Sequence, residues 1–268
     1  MGEGLPGGGR DVTSESVIPA DARFSGVMDS RDAIVVCGLG IAAAFFRALD
    51  PAMRIEVLVE DGTPVPAGSD LMRLEGNARA MLTAERSALN TVQHLSGIAT
   101  MTRGYVDAMA GANGLGAILL DTRKTIPGLR HLEKYATRTG GAQNHRMGLW
   151  DAAMIKDNHV LVAGGVAEAV RRAKAAGVAE IICEVDRIDQ IAPALEAGAT
   201  RLLLDNMAVA TLREAVALVA GRVPTEASGG VRLDSIGAIA ATGVTYVSVG
   251  RLTQSAPAAD IGLDFTPL

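Results

Sequence analysis

Short aliphatic runs recur along the second half of the chain, and each run ends in polar or glycine-rich residues. We predict a β-strand for each of six runs: Ala117–Leu120, Ala152–Ile155, Ile181–Val185, Leu202–Leu204, Thr225–Ala227 and Tyr246–Val249. Helical periodicity separates the later runs, at Val166–Ala176, Ile188–Glu196, Val209–Ala220 and Leu233–Thr242. Because strands that alternate with helices form parallel sheets, the pattern predicts a barrel or near-barrel of α/β class.

The first part of the chain has a different pattern, which predicts a small mixed α+β unit. Strands are predicted at Ser25–Asp29 and Ile55–Val59, with a short helix at Gly40–Leu49 between them. A long helical pattern begins near Thr83 and continues towards Met109, so we expect a domain boundary there. The glycine-rich residues 1–10 are expected to be mobile.

Composition excludes several kinds of partner. Hydrophobic residues make up 49% of the chain and aromatic residues only 3%, so the core must be aliphatic and base-stacking nucleic-acid binding is disfavoured. We find no apolar run long enough to span a bilayer and no signal-peptide pattern, so no membrane partner is expected. Two cysteines, Cys37 and Cys183, form no disulfide framework, which favours the cytoplasm.

Positive charge is concentrated in the segment Asp121–His159. This segment sums to +3, whereas the whole chain carries -5. A positive island in an acidic protein favours an anionic small molecule as ligand over nucleic acid. For the three cations at helical spacing, Arg130, Lys134 and Arg138, a solvated helix with paired charges is the favoured alternative.

The polar ends of the predicted strands should meet at one face of the barrel, where active sites of this class form. The early ends are cationic: Arg123, Lys124, His145, Arg146 and Lys156. Such cations can bind carboxylate and phosphate groups. His145 and the nearby His159 could carry protons, although structural hydrogen bonding is the more common role of a lone histidine.

The middle and late strand ends suggest other tasks. Glu184 and Asp205 could hold Mg²⁺, bind sugar hydroxyls or stabilise a cationic transition state, and helix capping by Asp205 remains an alternative. Ser228-Gly229-Gly230 and Ser248-Val249-Gly250 each precede a predicted helix, and two such ends favour a phosphate site over simple turns. The pattern therefore describes a ligand with phosphate and sugar, and a second ligand with carboxylates.

Several long segments together resemble one family, the quinolinate phosphoribosyltransferases. They are ERSALNTVQHLSGIAT (85–100), DTRKTIPGLRHLEKYATRTGG (121–141), NHRMGLWDAAMIKDNH (144–159), LLLDNM (202–207), EASGGV (226–231) and SVGRLTQSAPAADIGLDF (248–265). The resemblance implies an N-terminal α/β sandwich domain, placed at 1–97 with 260–268 packing back on it. An open, seven-stranded α/β barrel would follow at 98–259.

The resemblance also implies a reaction, in which quinolinate and phosphoribosyl pyrophosphate give nicotinate mononucleotide, pyrophosphate and CO₂, with Mg²⁺, in NAD synthesis. It implies that Thr122, Arg123, Lys124, His145, Arg146 and Lys156 bind quinolinate and pyrophosphate. Glu184 and Asp205 would contact the ribose, directly or through the metal, and the loops 228–230 and 248–250 would hold the 5′-phosphate. Lys124, Lys156, Glu184 and Asp205 are the expected catalytic residues. Arg86 would reach the partner's site in a homodimer, or in a hexamer built of dimers.

Two other functions stay open at this point. A paralogous transferase of the molybdate-operon type would use another heterocyclic acid, and Ile182, Arg251 and Gln254 depart from the usual residues. A non-catalytic binder of phosphorylated sugars is the alternative from a different class.

Overall fold

The computed structural model describes residues 9–111 and 116–268. Most of the glycine-rich start, expected to be mobile, lies outside the described residues. The chain divides into two compact units. The first ends at Met101 and resumes from Ser255 to Leu268, and the second runs from Thr102 to Gln254.

The elements of the N-terminal part alternate short strands with two helices before one long helix. They are α1 (Val12–Val17), β1 (Arg23–Ser30), β2 (Ile34–Val35), α2 (Leu39–Leu49), β3 (Arg54–Val57), β4 (Pro64–Val65), β5 (Ser69–Asn77) and α3 (Ala78–Gly111).

The remaining elements alternate strand and helix. They are β6 (Ile118–Leu120), α4 (Arg130–Thr139), β7 (Ala153–Ile155), α5 (Asp157–Ala163), α6 (Val166–Ala175), β8 (Ile181–Val185), a 3₁₀ helix (Ile188–Gln190), α7 (Ile191–Ala197), β9 (Arg201–Asp205), α8 (Val209–Val219), β10 (Thr225–Ser228), α9 (Ile236–Ala240), β11 (Tyr246–Ser248), α10 (Arg251–Gln254) and β12 (Ile261–Pro267).

The first unit is built on an antiparallel sheet with the strand order β12-β1-β5-β3. One apolar cluster joins this sheet to α2 and to the first half of α3, and it includes Met28, Phe46, Leu71, Met81 and Val92. Because each of these side chains leaves water, burial stabilises the packing by about 1.5–3 kcal/mol per large residue. The C-terminal strand β12 thus belongs to the sheet of the first unit.

The long helix α3 begins at Ala78, earlier than the predicted start near Thr83. Asn77, the last residue of β5, caps the helix, since its side-chain oxygen accepts a hydrogen bond from the backbone N–H of Ala80 at 3.1 Å. Asparagine at this position satisfies one of the backbone donors that a helix start leaves free. The strand therefore passes directly into the helix.

The second unit contains a parallel sheet with the order β6-β11-β10-β9-β8-β7. This arrangement confirms the predicted α/β class. Six strands belong to this sheet within the described residues, and Gln143 makes a single parallel bridge to Leu120 on the free side of β6. Within the described residues the sheet thus has one strand fewer than the seven that the resemblance implies, plus this one-residue bridge. All six strands run in one direction, so their carboxyl ends share one edge.

Candidate active site

A cavity of about 850 Å³ lies at the carboxyl ends of the parallel strands. It is lined by every residue of the second unit to which the resemblance assigns a role: Thr122, Arg123, Lys124, His145, Arg146, Lys156, Glu184, Asp205, Ser228, Gly229, Gly230, Ser248, Val249 and Gly250. Parallel strands therefore bring together residues that are far apart in sequence. Arg86, the remaining predicted residue, lies exposed on α3 in the first unit.

Two guanidinium groups lie near each other at the cationic side of the cavity. Burial lowers the pKa of Arg146, and the positive charge of nearby Arg123 lowers it further. The Nε of Arg123 is buried and has no hydrogen-bond partner among the described residues. Because an arginine stays protonated in proteins, two such groups side by side are stabilised by an anion placed between them.

Asp121, which sequence reasoning did not select, organises this cationic side. Its buried carboxylate accepts hydrogen bonds from the backbone N–H of His145 at 2.8 Å and from Asn144 Nδ2 at 2.6 Å. It directly follows β6 and precedes the cations at 123 and 124. One carboxylate thereby ties the two cationic loops together. The position of Asp121 directly after a predicted strand is the sequence feature that could have indicated this role.

The expectation of a solvated charged helix is wrong for Lys134. In α4 both Glu133 and Lys134 are buried, and the Lys134 ammonium pairs with Asp121 and donates to the carbonyl of His145 at 3.0 Å. Charges at helical spacing are typical of a solvent-exposed helix face. The spacing alone does not show which face of the helix packs against the rest of the protein. Burial lowers the pKa of Lys134, while the Asp121 charge opposes the shift. Lys134 is therefore a buried structural cation.

Two carboxylates face the cavity from neighbouring strands. Glu184 on β8 pairs with the ammonium of Lys156, and Asp205 ends β9. Capping of α8 by Asp205 is not observed, since Ala208 occupies the cap position. Among the described residues no group of three or more His, Cys, Asp or Glu could hold a metal ion. Two carboxylates can bind Mg²⁺ only when substrate oxygens and water molecules complete its coordination, which is the usual way in which proteins bind this ion.

Glycines shape the cavity at the ends of β10 and β11. Gly229 has φ +90°, and a Cβ there would lie 2.2 Å from Asn206 Oδ1. A Cβ on Gly250 would lie 2.8 Å from Cδ of Lys124. The absence of side chains thus allows close packing of the 228–230 and 248–250 loops.

The helices expected to follow these loops are too short to attract an anion by themselves. The helix α10 has four residues, and α9 begins at Ile236, after an intervening turn. The dipole effect belongs to the first turn of longer helices, so attraction here depends on backbone N–H groups and side chains. Sequence reasoning did not select Arg232, which lines the cavity together with Arg251 and Gln254.

The remaining candidates have structural surroundings. His159 does not line the cavity, and its Nδ1 accepts a hydrogen bond from the backbone N–H of Lys156 at 2.9 Å. Ile182, one of the departures from the family pattern, is buried in the sheet. Burial raises the pKa of the Cys183 thiol to about 12, and the charge of Glu184 adds to this shift, so Cys183 is no nucleophile.

Among the described residues, no helix combines the length and the apolar character needed to cross a membrane. The open parallel sheet and its charged cavity define a barrel-like α/β protein whose site suits a small polyanion.

Comparison with known proteins then gives the family. The family model for the quinolinate phosphoribosyl transferase N-terminal domain matches residues 11–96, and the C-terminal domain model matches 98–264. The chain belongs to the quinolinate phosphoribosyltransferase family, which confirms the resemblance.

Individual relatives agree with this membership. The nicotinate-nucleotide pyrophosphorylase [carboxylating] of Mycobacterium leprae is 43% identical, with 96% of this chain and 91% of the relative covered. A mitochondrial quinolinate phosphoribosyltransferase [decarboxylating] of Nicotiana tabacum is 40% identical, over 94% of this chain and 76% of the relative. The solved nicotinate-nucleotide pyrophosphorylase of Francisella tularensis is 38% identical and superimposes with a TM-score of 0.91, covering 99% and 92% of the two chains.

Proposed function

We propose that this protein is a decarboxylating quinolinate phosphoribosyltransferase. Quinolinate and phosphoribosyl pyrophosphate give nicotinate mononucleotide, pyrophosphate and CO₂. The observation that carries the proposal is a single cavity that combines paired guanidinium groups, two carboxylates and two glycine-rich loops. The names of the relatives point to the same reaction.

The cationic side suits the acceptor. Quinolinate has two carboxylates, and Arg123 and Arg146 each offer a planar fork that binds a carboxylate with two parallel hydrogen bonds. Lys124 and Lys156 add point charges, which suit both a carboxylate and the pyrophosphate of the donor. The ligand charge offsets the repulsion among these cations.

The glycine-rich side suits the donor. The 5′-phosphate would lie against the 228–230 and 248–250 loops, where backbone N–H groups approach closely and Arg232 and Arg251 supply charge. The ribose would then lie between this phosphate and the carboxylates Glu184 and Asp205. Thr122 lines the same cavity, within reach of the donor or the acceptor.

The first chemical step joins the ring nitrogen of quinolinate to C1 of the ribose as the bond to pyrophosphate breaks. Positive charge develops on the sugar, and Glu184 and Asp205 can stabilise it electrostatically. Lys156, which pairs with Glu184, can stabilise the negative charge that develops on the leaving pyrophosphate.

In the second step the bond from C2 to its carboxylate breaks and CO₂ leaves. The electron pair stays at C2, beside the cationic ring nitrogen, and a proton then takes its place. We expect this step to depend on removal of the ring from water rather than on a dedicated base.

Magnesium is part of the proposal. Glu184 and Asp205, together with the donor's own oxygens, have the hard oxygen ligands that Mg²⁺ prefers. The ion would neutralise the pyrophosphate charge and favour its departure.

The proposal also includes assembly and location. A homodimer, alone or as part of a hexamer, would let the exposed Arg86 of one copy complete the site of its partner. For location we propose the cytoplasm, where buried cysteines that form no disulfide among the described residues, Cys37 and Cys183, stay reduced. Fractionation of cells that contain the tagged protein tests the location.

A panel of acceptors tests the function. Purified protein is incubated with phosphoribosyl pyrophosphate, Mg²⁺ and quinolinate, nicotinate or another pyridine carboxylate, and the product mass is measured. We expect nicotinate mononucleotide from quinolinate and far less product from the other acids. A nucleotide formed only from another acid would move the protein to a different substrate, and ligand binding without product would make it a binder.

A further inference from the structure

Glu226 is a fully buried carboxylate within the parallel sheet. It lies on β10 between the buried residues Thr225 and Ala227, and it is one of the residues that line the cavity. Strands of a buried parallel sheet usually carry apolar side chains, and burial of a charge is costly unless the charge is paired. The partners of Glu226 therefore indicate its task.

Three side chains surround this carboxylate. Its Oε2 lies 3.3 Å from Nε2 of His145 and 3.3 Å from the guanidinium of Arg201, and the hydroxyl of Ser248 donates to it. Burial by itself would raise the pKa of Glu226, but His145, Ser248 and Arg201 together outweigh burial and lower the pKa below its ordinary value. The side chain is accordingly ionised near neutral pH.

His145 is held by hydrogen bonds through its backbone N–H, its carbonyl and one ring nitrogen. Its backbone N–H donates to Asp121 at 2.8 Å, and its carbonyl accepts from Lys134 at 3.0 Å. Ring atom Nδ1 accepts from the backbone N–H of Arg146 at 2.7 Å, so Nδ1 carries no proton. The other ring nitrogen, Nε2, lies 3.3 Å from Oε2 of Glu226, and among the described residues this contact is electrostatic and lacks hydrogen-bond geometry.

Arg146 lies at the end of this series of contacts. Its backbone N–H is bound to the imidazole of His145, and its guanidinium donates to the carbonyl of Ala152 at 3.0 Å while lining the cavity. Rotation of the imidazole would release the Arg146 peptide and move the guanidinium. Small displacements of binding groups are costly when a ligand must be held in one geometry.

We propose that Glu226 is a positioning residue for the acceptor: it fixes the His145 ring, and through that ring the Arg146 peptide, so that the Arg146 guanidinium is presented to a carboxylate of quinolinate. This inference rests on the proposed function. It gives His145 an orienting task, since both ring nitrogens face protein groups.

Two variants separate positioning from charge. Glu226→Asp keeps the charge but withdraws the carboxylate by one methylene, whereas Glu226→Gln keeps the reach and a carbonyl acceptor but loses the charge. Calorimetry with quinolinate is expected to show a Kd about 10-fold higher for Glu226→Asp. For Glu226→Gln the Kd should stay within about 3-fold of the parent value.

Glu180→Gln is the matched control, because Glu180 pairs with the same Arg201 at 2.9 Å but is half exposed and, among the described residues, makes no hydrogen bond or ion pair with His145. It should bind quinolinate within about 2-fold of the parent protein. In an Arg146→Ala background, Glu226→Asp should raise the Kd for quinolinate by less than about 2-fold, because both changes remove the same contact between Arg146 and the ligand.

The opposite ranking, with normal binding by Glu226→Asp and weak binding by Glu226→Gln, would overturn the inference, as would full additivity with Arg146→Ala. Should Glu226→Asp fold poorly, the near-isosteric Glu226→Gln decides alone, and a loss above about 10-fold in that variant overturns positioning. Parent protein that binds quinolinate but forms no nucleotide contradicts the proposed function and leaves this binding comparison intact as the test of positioning.

Discussion

Lys156 and Lys134 both pair with a carboxylate, yet their surroundings differ. The Lys156 side chain is 48% exposed at the cavity, whereas that of Lys134 is 1% exposed beneath it. Exposed ion pairs add little to stability, while removal of one member of a buried pair leaves an uncompensated charge. Opposite consequences are therefore expected when each lysine is replaced.

Replacement of Lys156 by alanine should remove activity and preserve the fold. We expect kcat/KM to fall by about 100-fold, because a charged contact to substrate is lost. The melting temperature should fall far less than after loss of a buried lysine, since the Lys156 side chain is 48% exposed, although its partner Glu184 is only 11% exposed. Lys174→Ala, at an exposed lysine of α6 outside the cavity, is the control and should keep normal activity. Normal turnover by Lys156→Ala would refute its role.

Replacement of Lys134 by methionine should destabilise the protein. The free energy of unfolding, measured with urea, should fall by about 3–5 kcal/mol because Asp121 loses its buried partner. Arg138→Met, four positions further along the same helix but exposed, should stay within about 0.5 kcal/mol. Equal small changes in both variants would contradict the assignment of Lys134 as a buried structural cation.

At the scale of elements, periodicity predicted the parallel strands well because their aliphatic runs are short and bounded by turns. β8 matches its predicted range, and β6 and β7 each begin one residue later than predicted. The strand β5 was missed, since its exposed and buried residues alternate in the less regular sequence SDLMRLEGN. The helix α5 was missed because it directly follows Lys156, which resembles a strand end.

The candidate site was predictable in large part because it lies at strand ends, which a sequence reveals. Asp121, Glu226 and Arg232 were not selected. Their roles depend on which side chains meet across the sheet, and a single sequence does not give strand order or side-chain burial. For the same reason the charge pattern around Lys134 wrongly predicted an exposed side chain.

The loop after β10 carries a prediction at this scale. Gly229→Ala adds a Cβ that meets Asn206 at 2.2 Å, in a residue with φ +90°. The loop must shift, so we expect the KM for phosphoribosyl pyrophosphate to rise about 10-fold or more, with a smaller change for quinolinate.

Gly177→Ala is the matched control for that loop. Gly177 has a similar φ of +80°, but a Cβ added there would meet no atom of the described residues within 4 Å, so it shares the backbone strain and lacks the collision. Gly177→Ala should lower the free energy of unfolding without changing the KM for phosphoribosyl pyrophosphate or for quinolinate. Unaltered donor KM in Gly229→Ala would remove this loop from the donor site.

At the scale of the whole molecule, the proposed shared site depends on Arg86. Arg86→Ala and Lys124→Ala should each be inactive alone. After denaturation and refolding together, hybrids would contain one intact site, and activity should return to about a quarter of the parent value. Arg47→Ala, at another exposed arginine of the first unit, should remain active. Refolded mixtures without activity would place Arg86 outside a shared site.

The most direct test of the proposed reaction measures the release of labelled CO₂ and the formation of the nucleotide in the same sample. Quinolinate labelled with ¹⁴C in the 2-carboxyl group is incubated with the parent protein, phosphoribosyl pyrophosphate and Mg²⁺, and the released ¹⁴CO₂ is compared with the nicotinate mononucleotide formed. One CO₂ per nucleotide, and none when the donor is omitted, is the result expected of a cavity that binds a doubly acidic ring beside its sugar donor. Label retained in the product, or no nucleotide from folded protein, would contradict it.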